Sequence, residues 1–278
     1  MIRRLQPKRV AKPWGVESLA PLFPDPEPGE RIGEVWFEEA GHPLLIKFLF
    51  TSEKLSVQVH PDDAYAAKKQ AEPGTAARAK TQPKTEMWHI LGAEKGAGIA
   101  AGFQHTISGE ELRNSAESGA IEQLLEWHEA RPGDTFFIPS GTVHAIGAGL
   151  VLCEIQQNSN TTYRLYDYGR GRELHLDDGE AVSKLGPHAA RSVEQAGEFG
   201  SVLVKCPYFV TERIQVDGAL TLPGDGNQTV IVLEGEGEIT GETTKAGEVW
   251  RSDEDVQVSG NLTLLRVTVP PPEKQSTK

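Results

Sequence analysis

LSVQVHPDD, residues 55–63, alternates apolar and polar side chains. Successive side chains of a strand point to opposite faces. Leu55, Val57 and Val59 therefore fall on one face, and Ser56, Gln58 and His60 on the other. Pro61 disfavours helix at His60, so the extended run can reach it. Three polar side chains on one face of an apolar strand mean either a solvated sheet surface or a site.

The same rhythm recurs along the chain. EVWFEEA, LLIKFLF, EMWHILG, DTFFIPS, GLVLCEIQQ and TTYRLYDY read as strands, and YFVTERIQV, QTVIVLEGEGEIT and NLTLLRVTV follow later. Gly, Pro, Asp and Asn clusters separate them. Many short strands with tight turns predict a mainly all-β chain built as a sandwich or barrel. VLEGEGEIT and KAGEVW read as strand–turn–strand pieces of a jelly roll.

Two segments predict helix. One is residues 62–72, with Asp62 as N-cap and a stop at Pro73-Gly74. The other is residues 108–130, with SGEE as a capping box and Leu112, Ile121, Leu124, Leu125 and Trp127 as its apolar face, interrupted at Gly119. Residues 185–200 have weak periodicity and read as a connection. This predicts a first domain over 1–190, a smaller β domain over 191–270 and a disordered tail over 271–278.

Composition narrows the function. The 278 residues carry a formal net charge of −12. That argues against a nucleic-acid partner, which would need a basic face, and an anionic substrate would need a local basic pocket. No apolar run approaches a spanning helix, so no membrane partner is expected. The basic N-terminus has no apolar run behind it and is no secretory signal. Cys153 and Cys206 are far apart and predict free thiols in a reducing, cytoplasmic setting.

Two further segments can join LSVQVHPDD in a site. In PKTEMWHIL, residues 83–91, alternation puts Lys84, Glu86 and Trp88 on one face and Thr85, Met87 and His89 on the other. Glu86 and His89 cannot both enter one site, and Glu86 is chosen. Lys84, two residues away, would keep its carboxylate ionised, as a metal ligand must be. In FFIPSGTVHAIG, residues 136–147, the Pro139-Ser140-Gly141 turn sets His144 near a sheet rim. Taken alone, the Glu86 segment reads equally well as an exposed Lys/Glu pair, and His144 reads better as a core histidine satisfied by a backbone carbonyl. Together, Gln58, His60, Glu86 and His144 form a four-group set for a divalent metal, with zinc and a two-His, one-carboxylate iron both compatible. Arg164 and Arg170 lie among Tyr163, Tyr166 and Tyr168, and arginines in so acidic a chain suit anion recognition.

These strings resemble the type I mannose-6-phosphate isomerases, a zinc-dependent branch of the cupins. LSVQVHPDD, KTEM and PSGTVHAIG followed by EIQQ and TTYRLYDYGR match the family's blocks in order, and KPWG and the GEVW at residues 33–36 also fit. The likeness runs from about residue 10 to residue 170, and only CPYF resembles the family beyond it. Pro83, Asn160 and the lack of a large helical insertion depart from the pattern. The resemblance implies tandem cupin domains and one Zn2+ per chain on Gln58, His60, Glu86 and His144. It also implies Arg164 as the active-site arginine, Lys84 in proton transfer, and Ser56 near the phosphate, while Arg170 is expected to bind substrate as one of the arginines set among tyrosines. The reaction implied is aldose–ketose exchange of a small-molecule sugar phosphate through a cis-enediol(ate). The expected general base is Lys84, depressed by zinc and Arg164, with His89 second. The chain is expected to be a monomer or weak homodimer. Two rivals are a non-catalytic metal-holding cupin that senses a sugar and an iron dioxygenase.

Overall fold

The computed structural model describes residues 1–72, 81–224 and 226–271. The expected helix stop at Pro73-Gly74, and all but the first residue of the expected tail, lie outside them. The chain clusters into two compact units, residues 7–19 with 25–192 and residues 1–6 with 20–24 and 193–278. Every named strand pair in both is antiparallel.

The larger unit is built on two sheets. One has the order Lys8–Val16, Ile32–Phe37, Leu44–Thr51, Leu150–Gln157, Glu86–Ala93, Thr135–Ile138. The other runs Tyr163–Tyr166, Val57–Val59, His144–Ile146, Gly98–Phe103, Leu125–Glu129. Leu49, Trp88, Ile90 and Leu152 of the first sheet share a core with Ile99, Ala101 and Ile146 of the second, which marks the inside of a sandwich. The outer face of the second sheet is covered by helices. Val57, Val59, Ala100 and Ala145 pack there against Leu112, Ala116 and Ile121. Because Val57 and Val59 face the helices, the strand's period of two turns Gln58 and His60 into the sandwich. Leu55 departs from the expected face. It packs in the inter-sheet core, because the regular strand begins only at Val57 and Leu55 precedes it.

Helix Asp63–Ala71 starts as the sequence indicates, with the Asp62 side chain accepting from the Tyr65 amide. Ser108 likewise caps helix Gly109–Ser118. The expected helix over 108–130 is corrected beyond that point. Gly119 takes a left-handed φ of 82°, which ends a helix as it does at many C-caps. A four-residue turn follows, and Leu125–Glu129 is a strand, with Trp127 paired to Ala100. Residues 185–200 are largely irregular, with bridges at Pro187 and Arg191 and the two-residue strand Gln195–Ala196.

The smaller unit is one sheet dominated by the long strands Val210–Leu222, Gln228–Ile239 and Val256–Thr268. Ile214, Val230, Trp250, Val258 and Leu264 form its core. It contains no histidine, so imidazole-based metal chemistry belongs to the larger unit. The mainly-β class expected from the strand pattern is what both units display.

Candidate metal centre and cavity

Three strand ends converge inside the sandwich. His60 follows strand Val57–Val59, Glu86 opens Glu86–Ala93 and His144 opens His144–Ile146. All three are buried, and their donor atoms lie within 4.8 Å of one another. The Nε2 atoms of His60 and His144 stand 3.5 and 3.3 Å from Glu86 Oε1. The other nitrogen of each ring is already engaged. His60 Nδ1 is 2.9 Å from the Thr161 carbonyl, and His144 Nδ1 is 2.9 Å from that of Thr142. A carbonyl can only accept, so each Nδ1 carries the proton and each Nε2 presents a lone pair inward. That second-layer bond fixes the tautomer a metal needs.

The electrostatics agree with the geometry. Burial, helped by the Lys84 charge, pushes His60 down to about 4. Burial also lowers His144. Burial alone would raise Glu86, but Lys84 and the two histidines hold it well below the usual carboxylate range. Two neutral imidazoles and one carboxylate therefore face a single point at neutral pH. Glu86 Oε1 and His144 Nε2 are buried without a well-aligned hydrogen bond, while Glu86 Oε2 is held by the Lys84 ammonium. Such orphans are costly unless something else satisfies them, and this donor set fits a divalent metal.

The shifts carry a pH dependence. Between about pH 6.5 and 4 the unfolded chain protonates His60 and the folded chain does not, so stability present above that window is lost as pH falls through it. The His60 share is ~3 kcal/mol, and His144 adds loss in the same direction. Urea unfolding of metal-free protein at pH 7 and pH 4.5 measures this. A midpoint that does not drop at the lower pH would show that burial does not hold His60 neutral.

Beside the centre lies a cavity of about 390 Å³. Ser56, Gln58, Lys84 and Arg164 line it, which brings four of the sequence-derived residues together. Gln58 is opposite His144 in one strand pair and opposite Arg164 in the next, so these three side chains form a row across three strands on the inner face. Lys84 Nζ is 2.5 Å from Glu86 Oε2, 3.2 Å from His60 Nε2 and 4.0 Å from Glu154. Without zinc, the protein's own groups do not depress it. Burial alone would lower it, but the Glu154 and Glu86 carboxylates raise it above the ordinary lysine value, so the protein by itself holds it charged.

Two residues are placed elsewhere. His89 points to the opposite side of its strand, 2.9 Å from the Thr135 hydroxyl, and does not line the cavity. Arg170 is also off the lining, donating to the carbonyls of Asp167 and Lys54.

The cavity wall adds Lys12, Lys47, Arg172, Glu34 and Glu154 to the charges expected there. Five cations, Lys12, Lys47, Lys84, Arg164 and Arg172, face two carboxylates, Glu34 and Glu154. Lys47 and Glu154 are directly opposite in register and 3.2 Å apart. Trp88 Nε1 donates to Glu154 at 2.9 Å. The signal was present: each is a lone charge in an apolar strand, LLIKFLF and LVLCEIQQ, and buried charges need partners. In a chain of net charge −12 this wall is a local basic pocket.

No family model matches the chain. It is 38% identical over 208 residues to the mannose-6-phosphate isomerase of Streptococcus mutans, an alignment covering 71% of this chain and 63% of that protein. The chain thus spans less than two thirds of that curated relative. It is 35% identical over 237 residues to the probable mannose-6-phosphate isomerase GmuF of Bacillus subtilis, covering 77% of this chain and 71% of the relative. The crystal structure of mannose 6-phosphate isomerase from Bacillus subtilis resembles it with a TM-score of 0.82 at 27% identity, over 96% of this chain and 99% of that one. The cupin-like architecture expected from the motifs accords with that neighbour.

Proposed function

The chain belongs to the mannose-6-phosphate isomerase family, and from that premise we propose that it interconverts mannose 6-phosphate and fructose 6-phosphate with one zinc ion. The observation that carries this reading is the pairing of the His60–Glu86–His144 centre with a basic cavity in an acidic protein. Gln58, on the cavity wall opposite His144, supplies the fourth ligand. Zinc held there supplies Lewis-acid stabilisation for negative charge on the sugar's O1 and O2.

The chain's own groups do the rest. Lys84 enters charged, so its first act is to give a proton to the ring oxygen as the C1–O5 bond breaks and the O1 hydroxyl proton leaves to solvent. The neutral amine left behind takes the C2 proton and returns it at C1 through a cis-enediol(ate), while the O2 hydroxyl proton passes to O1, and a solvent proton then restores the ammonium. Arg164 stabilises the charge that develops between those steps. Ser56 lines the same cavity and donates to the substrate. His89, on the far side of its strand, takes no part. A sugar sensor would have no use for a charged lysine against the metal ligands, and an iron dioxygenase none for five cations around its substrate. We place the enzyme in the cytoplasm as a monomer or weak homodimer, in keeping with two free thiols.

The test is an assay of mannose 6-phosphate turnover before and after chelation, alongside elemental analysis of the purified protein. The expected result is about one zinc per chain, loss of at least about a hundredfold in rate on stripping, and recovery on adding zinc back. Full turnover by a metal-free sample would overturn the zinc reading. Inactivity of a zinc-loaded sample would overturn the isomerase reading.

A further inference from the structure

The segment from Arg164 to Arg172 carries more positive charge than its own carboxylate can absorb. Three guanidinium groups, Arg164, Arg170 and Arg172, surround one buried carboxylate, Asp167. The two nearby cavity lysines are different. Lys12 is paired with Glu34 at 3.4 Å and Lys47 with Glu154 at 3.2 Å, so each has a carboxylate of its own.

The arginines have distinct jobs. Arg170 is a tie within the loop. Its Nε and Nη2 donate to the Asp167 and Lys54 carbonyls at 3.2 and 2.7 Å, and it does not reach the cavity. Arg172 lines the cavity. Its Nε and Nη2 meet the two oxygens of Asp167 at 2.7 and 2.5 Å, a fork-to-fork pair that fixes the plane of the guanidinium. That pair uses one edge. Nη1 has no protein partner among the described residues, so the Nη1–Nη2 edge is left for a ligand with two acceptor oxygens. Arg164 donates Nη1 to the Glu173 carbonyl at 2.8 Å, while its buried Nε is unpartnered. Burial, and next the charge of Arg172, lower the Arg164 guanidinium, so the two cations repel across the same wall. An anion on Arg172 relieves that repulsion.

We propose that Arg172, its plane set by Asp167, binds the phosphate of the substrate, a phosphomonoester dianion, and that Arg170 only holds the loop that presents it. This rests on the sugar-phosphate reading and adds which arginine recognises the phosphate. Asp167 is then a positioning residue, since it acts through Arg172.

The test uses the full-length, zinc-loaded protein and its Arg172→Gln and Arg172→Lys variants, with circular dichroism to check folding. Inorganic phosphate binding is measured by calorimetry, independently of catalysis. Loss of a charge-assisted fork predicts a Kd about 10- to 100-fold weaker for Arg172→Gln, and a smaller weakening for Arg172→Lys, which keeps the charge and should fold even if the glutamine variant does not. The KM for mannose 6-phosphate should rise by a similar factor with kcat within about threefold. The fall in kcat/KM should be far smaller for unphosphorylated mannose than for its phosphate ester. Unchanged phosphate affinity in both variants, or an equal loss on mannose and its ester, overturns the assignment. If the parent protein turns over no sugar phosphate, the isomerase reading falls, and the calorimetric comparison still decides whether Arg172 is an anion site.

Discussion

Replacing His144 with alanine is expected to take zinc content from about one per chain to near zero and to lower turnover by roughly three orders of magnitude or more. The ring is fully buried, its Nδ1 is spent on the Thr142 carbonyl, and its Nε2 has no partner besides the Glu86 carboxylate across the centre. Nothing in the protein can take its place, because the strand register aims the neighbouring side chains, Val143 and Ala145, at the helices. Removing it leaves one imidazole and one carboxylate, with Gln58 a weak neutral donor. The same variant should keep its fold, since the site is a small part of a sandwich whose core lies elsewhere. Zinc analysis and the isomerase assay on a sample with parent-like circular dichroism separate these effects. A His144→Ala protein that retains a full complement of zinc would remove the centre from consideration.

Much of that centre could be read from the sequence, for a local reason. Alternation within one strand is a property of consecutive residues. LSVQVHPDD therefore showed that Gln58 and His60 share a face, and EMWH showed that His89 opposes Glu86. What stayed hidden depends on partners far along the chain. The Lys47–Glu154 pair follows from the register of strands Leu44–Thr51 and Leu150–Gln157, and register leaves no mark in either strand alone. The upward push on Lys84 is hidden for the same reason, since Glu154 acts from a neighbouring strand. Gly98–Phe103 escaped notice because GIAAGF has little intrinsic strand preference and is held between strands His144–Ile146 and Leu125–Glu129. Leu125–Glu129 was read as helix because Ile121, Leu124 and Leu125 happen to fit a helical spacing, which Gly119 had already ended. Residues 1–6 cluster with the C-terminal unit through the pairing of Arg3 and Arg4 with Arg251 and Trp250, a contact no N-terminal motif announces.

Arg164→Ala should lower kcat by about two to three orders of magnitude while leaving zinc content normal. Arg164 stands in the row that contains Gln58 and His144, so its head shares the cavity with the atoms nearest the metal centre. Its Nη1 is fixed by the Glu173 carbonyl, and its buried Nε lacks a partner. A guanidinium held this way is preorganised for charge that appears only during reaction, and such an interaction lowers kcat when lost, whereas uniform binding raises KM. Arg164→Lys keeps the charge but loses both the planar fork and the Glu173 tie, so it should recover little of the rate. The contrast with Arg172 is what makes the result informative. If Arg172 holds the phosphate and Arg164 the developing oxyanion, the Arg172→Gln and Arg164→Ala variants separate, one in KM and the other in kcat. Should Arg164→Ala turn over near the parent rate with only a raised KM, Arg164 is a second anchor for the substrate. The charge that develops on O1 and O2 would then fall to zinc and Lys84 alone.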